Sequence, residues 1–286
     1  YTGLIDLPNE NIGRVQNQGM EIQLSHFNKI GEVNFRASGN FMFARNKVLF
    51  MDETPWGEGH EYMNETGGPM GAGLQYRAIG IFRDQAALDS YPHLDAARPG
   101  DLIFEDVDGD GKITSLDRVR QNLTGFPEII FGLNLSADWK NFDISVLFQG
   151  QARAVKDVIS RMDATSNFYK WRAEDRWTED NIDGTMPRAG GTINYGVENP
   201  CSFWTQNASF VRLKNLEIGY TLPNLWFNKL RISNCRVYLS GQNLITITSY
   251  SHYDPEASWT SSAVNGWDRG VYPSAKSFTL GLQVKF

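Results

Sequence analysis

The final ten residues of the chain, SFTLGLQVKF (residues 277–286), alternate between polar and apolar side chains without a break. Successive side chains of a β-strand point to opposite faces, so this pattern predicts a strand with one apolar and one polar face. The apolar face would carry every second residue, namely Phe278, Leu280, Leu282, Val284 and Phe286. The polar face would carry Ser277, Thr279, Gly281, Gln283 and Lys285. The chain is therefore expected to close with an amphipathic strand.

The same alternation recurs upstream and predicts about seven strands in total. They are residues 20–25, 32–43, 129–140, 143–150, 215–222, 235–248 and 277–286. Directly before the fifth of them, the segment FVRLK (residues 210–214) loses the alternation, which is typical of a β-bulge. The chain is thus predicted to be all-β.

The connections between these strands differ sharply in length. Tight turns are expected at residues 28–31 and 140–142, and a moderate one at 223–234, whereas long segments occupy 46–128, 153–208 and 249–275. Connections as long as these are exceptional in a compact soluble domain. Short turns at one end and long loops at the other are typical of outer-membrane barrels. The predicted fold is the C-terminal part, about seven antiparallel strands, of a large transmembrane β-barrel with long extracellular loops.

A soluble β-sandwich is the alternative fold, because its strands also alternate between polar and apolar residues. Two features favour the barrel. The polar faces keep charges in mid-strand, at Arg36 and Glu217, as a water-filled interior permits. Aromatic residues also gather at strand ends, where the girdles of a membrane barrel lie: Trp139, Phe142, Tyr220 and Phe286.

Composition limits the other classes of function. The formal net charge of −6 argues against nucleic acid as a partner. Cys201 and Cys235 are too few for a disulfide framework, and we expect two separate thiols rather than one disulfide. The chain has no run of about 18 apolar residues, the length that predicts a transmembrane helix.

We expect these 286 residues to be the C-terminal part of a longer protein. The sequence starts at Tyr1 with a polar, extended segment, without an initiator Met or a signal-peptide pattern. Bacterial single-chain barrels have an even number of strands, because their edge strands must pair with each other in lipid. Seven is an odd number, so further strands are expected upstream.

One acidic segment, DVDGDGKITSLD (Asp106–Asp117), has the spacing of a calcium-binding loop. The expected ligands are the side chains of Asp106, Asp108 and Asp110, the carbonyl of Lys112 and the closing carboxylate of Asp117. Residues 102–104 before it are predicted to form a short β element rather than a helix, so the segment is not an EF-hand. The favoured interpretation is a structural Ca²⁺ that holds a long loop together, and a solvated acidic turn is the alternative.

No catalytic signature is found, and the chain is predicted not to be an enzyme. The four histidines are scattered, and the sequence contains neither an HExxH zinc motif nor a G-x-S-x-G nucleophile elbow. A short loop helix is expected within residues 168–180. Aromatic residues of the long segments are expected either to contact a substrate or to pack the loops together and contact a partner. They are Trp56, Tyr62, Trp171, Trp177, Trp204, Trp259 and Trp267.

Several ordered motifs resemble SusC/RagA-like TonB-dependent transporters of the Bacteroidetes outer membrane. These motifs are GDLIFEDVDGDGKIT, FGLNLSADWKNFDISVLFQG, FVRLKNLEIGYTLP, RVYLSGQNLITIT, YDPE and YPSAKSFTLGLQVKF. The resemblance implies that residues 1–286 are the C-terminal portion of a 22-stranded barrel, and that 83–128 is an extracellular loop carrying the acidic segment.

The resemblance also implies a function. Such transporters contain a plug and a TonB-contacting segment, which are not matched by these residues, and they use a SusD-like surface lipoprotein as partner. Their substrates are glycans or peptides too large for porins. We therefore expect an importer of the bacterial outer membrane. The alternative function, which goes with the sandwich fold, is a soluble calcium-stapled module that binds carbohydrate.

Overall fold

A computed structural model describes residues 11–158, 170–190, 199–223, 232–251, 253–256 and 272–286. The chain divides into two compact units. The loop unit comprises Tyr1–Gln18, Arg45–Asn122 and Arg161–Trp204, and the sheet unit comprises Gly19–Ala44, Leu123–Ser160 and Thr205–Phe286. Among the described residues, no helix is both long and apolar enough to cross a bilayer.

Seven antiparallel strands form one large sheet, which confirms the predicted fold class. Their order in the sheet is their order in the chain. They are β1 (Arg14–Ile30), β2 (Val33–Phe50), β3 (Ile129–Trp139), β4 (Phe142–Ala152), β5 (Phe210–Thr221), β6 (Asn234–Thr248) and β7 (Ser277–Lys285).

One face of this sheet, called here the apolar face, carries the apolar member of each alternating pair. The strand register places five of its side chains side by side on β3 to β7, namely Ala137, Ile144, Ile218, Leu239 and Leu280. Leu239 is 54% and Leu280 77% exposed. A sandwich would bury this face against a second sheet. Since the face is exposed in the described part of the chain, the sandwich alternative is wrong.

The opposite face, called here the polar face, carries hydroxyl and charged groups. Arg236 on β6 donates from Nε to Asp143 Oδ1 at 2.9 Å and from Nη2 to Glu217 Oε1 at 2.8 Å. These contacts join β4, β5 and β6. Glu217 was predicted from the alternation to be a mid-strand charge on this face, and the arginine neutralises it there.

Two glycines let long side chains lie flat on the polar face. A Cβ atom at Gly219 would collide with the guanidinium of Arg236, and one at Gly281 would collide with the ring of Tyr238. The guanidinium also lies 5.1 Å from the centre of the Tyr238 ring. Both residues therefore extend across a neighbouring strand instead of projecting away from the sheet.

The predicted bulge is present in β5. Pairing with both neighbouring strands shifts between Leu213 and Asn215, and relative to β4 Lys214 is the extra residue. The extra residue returns the apolar side chains to the same face: Leu213 pairs with Phe148, and Leu216 pairs with Val146. This shift explains why the alternation fails in the sequence at residues 210–214.

Aromatic side chains gather at the short-turn end of the sheet, as predicted. The ring centres of Trp139 and Phe142 are 6.4 Å apart, and those of Phe142 and Tyr220 are 4.6 Å apart. Phe286, just beyond β7, is 85% exposed. The turn was predicted to break the chain at Asn141 and Phe142, but Phe142 belongs to β4. Lys140 adopts a positive φ of 55°, so that Lys140 and Asn141 suffice for the turn.

Strands β1 and β2, of 17 and 18 residues, are longer than the alternating segments that predicted them.

The long segments between the strands also contain secondary structure. In the part of the chain that the structure describes, the helices are α1 (Gln85–Ser90) and α2 (Lys170–Glu174), and α2 confirms the expected loop helix. The two-stranded ribbons are Leu74–Tyr76 with Arg118–Arg120, Ala78–Ile81 with Leu102–Phe104, and Val155–Asp157 with Thr205–Asn207. The 3-10 turns are Glu61–Met63, Ser115–Asp117 and Ser202–Trp204.

Each unit has its own buried elements. The loop unit buries the side chains of Met63, Phe82, Leu102, Phe104 and Trp204. Cys201 of the loop unit and Cys235 of the sheet unit are both buried thiols, which confirms the expectation of two separate thiols. In the sheet unit, the apolar row is exposed on one side, and part of the polar face is covered by residues that follow β6.

Asp254 ties the segment after β6 to the polar face. Its carboxylate accepts hydrogen bonds from the Arg212 guanidinium, from Ser274 N at 2.7 Å and from Glu256 N at 3.0 Å. Lys214, the bulged residue, donates to Glu256 at 2.8 Å. Burial alone would raise the pKa of Asp254, but the bonds from Arg212 and the two backbone N–H groups outweigh it and lower the pKa to about 2.

An arginine on the apolar face should cost far more stability than one on the polar face. We expect Leu239→Arg to lower the free energy of unfolding in lipid vesicles by about 2–4 kcal/mol, the penalty for a cation facing the bilayer midplane. The matched change is Ser240→Arg, the next residue of β6, whose side chain lies on the polar face. Urea titrations of the reconstituted protein measure both. Equal losses would contradict the assignment of the two faces.

Because of the Asp254 contacts, the stability of the fold should depend on pH in the acidic range. Because its folded pKa lies below the ordinary value of 3.8, Asp254 stabilises the fold above about pH 4, and this contribution is lost as the pH falls toward about 2. Asp254→Asn should therefore lower stability at neutral pH, and its difference from wild type should shrink over that acid range. The control is Asp138→Asn, at an exposed carboxylate 4.0 Å from Arg36. A difference between Asp254→Asn and wild type that is independent of pH would contradict the assignment.

Candidate metal site

The acidic loop, Asp106–Asp117, lies between two short strands of the loop unit. Leu102–Phe104 precedes it, and Arg118–Arg120 follows it directly. The last residues of the loop, Ser115–Asp117, form a single 3-10 turn. An EF-hand has a helix on each side of its loop. The predicted β element before the loop is confirmed, and the segment is not an EF-hand.

Backbone hydrogen bonds shape the first half of the acidic loop. The Asp106 carboxylate accepts from Gly109 N at 2.8 Å and from Gly111 N at 2.9 Å. Both glycines have positive φ, 74° and 79°, a region that residues with a side chain rarely enter. Asp110 accepts from Lys112 N at 2.8 Å in the same manner. The aspartates therefore fold the loop around themselves by capturing its N–H groups.

Asp117 closes the loop from inside the protein. Its side chain is fully buried, and it accepts from Val107 N at 2.8 Å and from Thr114 N at 2.7 Å. Thr114 in turn accepts from Leu116 N at 3.1 Å, which completes a capping box at the start of the 3-10 turn. The two carboxylate oxygens of Asp117 thus bind backbone groups ten residues and three residues away.

Three of the four predicted carboxylates come together. Oxygen atoms of Asp106, Asp108 and Asp117 all lie within 4.8 Å of one another. Among the described residues Asp110 is not part of this group, and the predicted role of the Lys112 carbonyl stays a prediction. Clustered carboxylate oxygens are the ligands that Ca²⁺ prefers, so the donor set fits a hard divalent cation.

Two side chains that the sequence did not single out as neighbours border this group. His60 Nε2 lies 3.4 Å from Asp108 Oδ2. The Tyr62 hydroxyl donates to the Leu116 carbonyl at 2.7 Å. Burial, and then the negative charges of Asp108 and Asp117, raise the pKa of Tyr62. Only the fold brings these residues close, because they precede the loop by more than 40 positions.

The aromatic residues of the long segments mostly pack within the loop unit. Trp204 is buried, and Tyr62 is held by the Leu116 carbonyl. Trp177 donates from Nε1 to the Arg83 carbonyl at 3.1 Å and lies against Gly100. Trp56 is exposed. The residues considered for substrate contact that lie outside the described part of the chain are Trp259 and Trp267.

Comparison with known proteins shows which proteins the chain resembles. No protein-family model matches the chain. The chain is 30% identical over 303 residues to TonB-dependent receptor P3 of Formosa agariphila. The alignment covers 97% of this chain and 29% of that protein. It is 26% identical over 285 residues to TonB-dependent receptor SusC of Bacteroides thetaiotaomicron, covering 97% of this chain and 27% of SusC.

The chain resembles TonB-dependent receptors of the SusC/RagA type. The solved structure of the RagAB peptide transporter superposes on it with a TM-score of 0.71 at 24% identity, over 97% of this chain and 30% of that chain. The RagAB peptide importer in its open-open state gives 0.72 at 23% identity. The seven-stranded sheet therefore has the fold of a segment of these SusC/RagA-type proteins. The chain spans less than a third of the length of the relatives it matches.

The acidic loop should depend more on Asp117 than on Asp110, even without a metal ion. Asp117→Asn replaces an oxygen of a buried side chain that accepts a backbone N–H, and we expect a loss of about 1–3 kcal/mol in the free energy of loop opening. Asp110→Asn changes an exposed side chain and should cost under about 0.5 kcal/mol. Hydrogen exchange at the amides of Val107 and Thr114, in the presence of a chelator, measures the opening. Equal protection in the two variants would contradict the role of Asp117.

Proposed function

We propose that this chain forms the C-terminal wall and outer loops of a TonB-dependent importer in the bacterial outer membrane. The observation that carries the proposal is the two-faced sheet. Its apolar face is exposed along β3 to β7, whereas its polar face holds the Arg236, Asp143 and Glu217 ion pairs. Such an arrangement suits a wall with lipid on one side and water on the other.

The size of the apolar face supports a membrane environment. Ten of its exposed residues are large and apolar, and they lie on β1, β4, β5, β6 and β7: Met20, Ile22, Leu24, Ile144, Ile218, Leu239, Ile245, Phe278, Leu280 and Leu282. A continuous exposed apolar surface of this kind is rare on soluble monomers. In a bilayer the same side chains contact acyl chains and cost nothing. The aromatic rings at the short-turn end then lie at the level of the headgroups.

The transported substrate and the partner are proposed by analogy with the relatives. RagAB is named a peptide transporter. We propose a large nutrient, either a glycan or a peptide, and a SusD-like surface lipoprotein that covers the outer loops. The plug and the TonB-contacting segment would be supplied by residues outside these 286. The relatives are named as receptors and transporters, which supports a role without catalysis.

For the acidic loop we propose a structural Ca²⁺. Asp106, Asp108 and Asp117 would be its nearest ligands, and Asp110 and the Lys112 carbonyl would complete the predicted set. Each of these carboxylates already accepts backbone N–H groups, so the ion would add a positive charge where the loop concentrates negative ones. Its role would be to hold together the loop between two short strands, not to catalyse.

Fractionation of cells that make the whole protein tests the importer. We expect it in the outer-membrane fraction, resistant to a sodium carbonate wash and released only by detergent. Loss of the gene should abolish growth on one class of large nutrient, oligosaccharide or peptide, and loss of TonB should have the same effect. A monodisperse protein recovered in plain buffer would rule the proposal out.

Calcium binding can be tested by terbium luminescence, in which Tb³⁺ replaces Ca²⁺ and nearby aromatic rings such as Tyr62 sensitise its emission. Asp108→Asn removes one charge from the trio and should weaken binding about tenfold or more, equivalent to about 1.4 kcal/mol. Asp183→Asn, at a carboxylate elsewhere in the loop unit, is the control and should leave the affinity unchanged. If neither Tb³⁺ nor Ca²⁺ binds to the wild-type protein, the acidic loop is a solvated turn.

A further inference from the structure

A cavity of about 650 Å³ lies in the loop unit, between the end of α1 with the residues that follow it and the second half of the acidic loop. Residues 89–95 line one side, and residues 111–114 line the other. We propose that this cavity, called here the loop cavity, binds the ammonium group of a ligand. The inference deepens the proposed function and rests on it in one respect, because the ligand would be part of the imported nutrient.

The loop cavity has the size and the mixed lining of a small-molecule site. Such sites enclose roughly 300–1,000 Å³ and combine apolar side chains with a few polar groups. Leu94 and Ile113 are apolar residues of the lining. Asp89, Asp95 and Lys112 are its charged residues. A ligand with both a charged part and an apolar part would therefore find suitable contacts for each.

Contacts within the loop unit hold the first side of the loop cavity in place. The ring of His93 meets the buried ring of Phe82 edge-on, with 6.2 Å between the ring centres. The Tyr91 hydroxyl accepts from Asp106 N at 3.4 Å, which ties this side to the start of the acidic loop. A side that is already ordered lowers the entropic cost of binding a ligand.

The second side of the loop cavity belongs to the acidic loop, whose backbone is fixed by its own carboxylates. Lys112 N donates to Asp110 at 2.8 Å, and Thr114 N donates to Asp117 at 2.7 Å. Between them, Ile113 is buried. These bonds hold the second side in place, so that both sides of the cavity are formed by contacts within the protein.

The charged groups of the loop cavity are available to a ligand. Among the described residues, the exposed Asp95 and Lys112 have no ion-pair or hydrogen-bond partner for their charged groups. Asp89 accepts from Gln85 Nε2 at 2.7 Å through Oδ1, which leaves Oδ2 for another donor. An ammonium group carries three N–H donors and no acceptor, so it can bind two carboxylates at once. Asp89 and Asp95 are the two carboxylates that would receive it.

The charge around the loop cavity decides which ligands suit it. Residues 84–117 contain nine acidic and two basic residues, a formal charge of −7, whereas the whole chain carries −6. A Ca²⁺ ion in the acidic loop would reduce this charge only to −5. A cleft whose charge is mainly of one sign raises the local concentration of the opposite ion. The loop cavity therefore favours a cation over an anion such as phosphate.

Two kinds of nutrient carry a primary ammonium group at neutral pH, namely a peptide with a free N-terminus and a glycan that contains an amino sugar. A neutral sugar would form only uncharged contacts with the Asp95 carboxylate, and these are weaker than hydrogen bonds between two ions. The ammonium group is thus the chemistry that the loop cavity selects, and experiment can separate its two sources.

The test measures binding to the whole protein in detergent by isothermal titration calorimetry at neutral pH. The peptide probe is tetra-alanine with a free N-terminus, and its partner is the same peptide acetylated at the N-terminus. The sugar probe is the trimer of glucosamine, and its partner is the trimer of N-acetylglucosamine. We expect a free-amine probe to bind and its acetylated partner to bind about tenfold or more weakly, since acetylation removes a charge-assisted hydrogen bond.

The variant D89N/D95N removes both carboxylates of the loop cavity and keeps the size of their side chains. It should lower the affinity for the free-amine probe by about tenfold or more. The matched control is D180N/D183N, which removes two exposed carboxylates elsewhere in the loop unit and should keep the wild-type affinity. Binding of tetra-alanine alone would assign the ammonium group to a peptide, and binding of the glucosamine trimer alone would assign it to a glycan.

Four outcomes would overturn the inference. They are no binding of either free-amine probe, equal affinity for a probe and its acetylated partner, wild-type affinity in D89N/D95N, and an equal loss in D180N/D183N, which would reflect net charge alone. Protein that fractionates with the outer membrane and gives one of these results overturns this inference and leaves the importer standing. Recovery of the protein in plain buffer overturns the importer, whatever the probes show.

Discussion

The sheet depends on one constraint, which is that every backbone N–H and C=O group within it must form a hydrogen bond with a neighbouring strand. The two faces of the sheet differ in chemistry, so this pairing also decides which side chains lie on which face. Hydrocarbon offers no hydrogen bonds, so a strand that contacts lipid can satisfy its backbone only by pairing along its length. The register of β2 through β7 meets this demand residue by residue, with one interruption at the β5 bulge. That interruption shifts β5 by one residue and still keeps Leu213 and Leu216 on the apolar face. The pairing therefore controls which side chains face which solvent.

The polar face and the acidic loop solve a similar electrostatic problem in different ways. On the polar face, Glu217 and Asp143 both pair with the guanidinium of Arg236 on β6. In the acidic loop the carboxylates of Asp106 and Asp117 are stabilised by backbone N–H groups instead. These N–H groups carry only partial charges, so they offset less of the repulsion than a cation would. This difference is why a divalent ion is proposed for the acidic loop and none for the sheet.

Much of the sheet could be predicted from the sequence, because polar and apolar residues alternate wherever one face of a strand is apolar and the other is polar. β7, β4 and the bulge at Lys214 were all foreseen on that ground. The far ends of β1 and β2 were missed, since three consecutive polar residues at 16–18 and at 45–47 break the period of two. The contacts of His60 and Tyr62 with the acidic loop were also missed. They depend on how the loop unit folds, and no local pattern encodes a contact between residues more than 40 positions apart. Of the four carboxylates predicted as metal ligands, the structure brings Asp106, Asp108 and Asp117 together, and the position of Asp110 outside this trio was not foreseen.

The flat-lying side chains above Gly219 and Gly281 would matter for the importer proposed above. Arg236 and Tyr238 lie across neighbouring strands, so the layer of side chains on the polar face is thinner there than it would be if they were extended. A methyl group at either glycine would collide with the guanidinium or the phenol ring, and the displaced side chain would project farther from the sheet. In the proposed importer, two positions that carry no side chain would thereby help to set the space on the water-facing side of the wall.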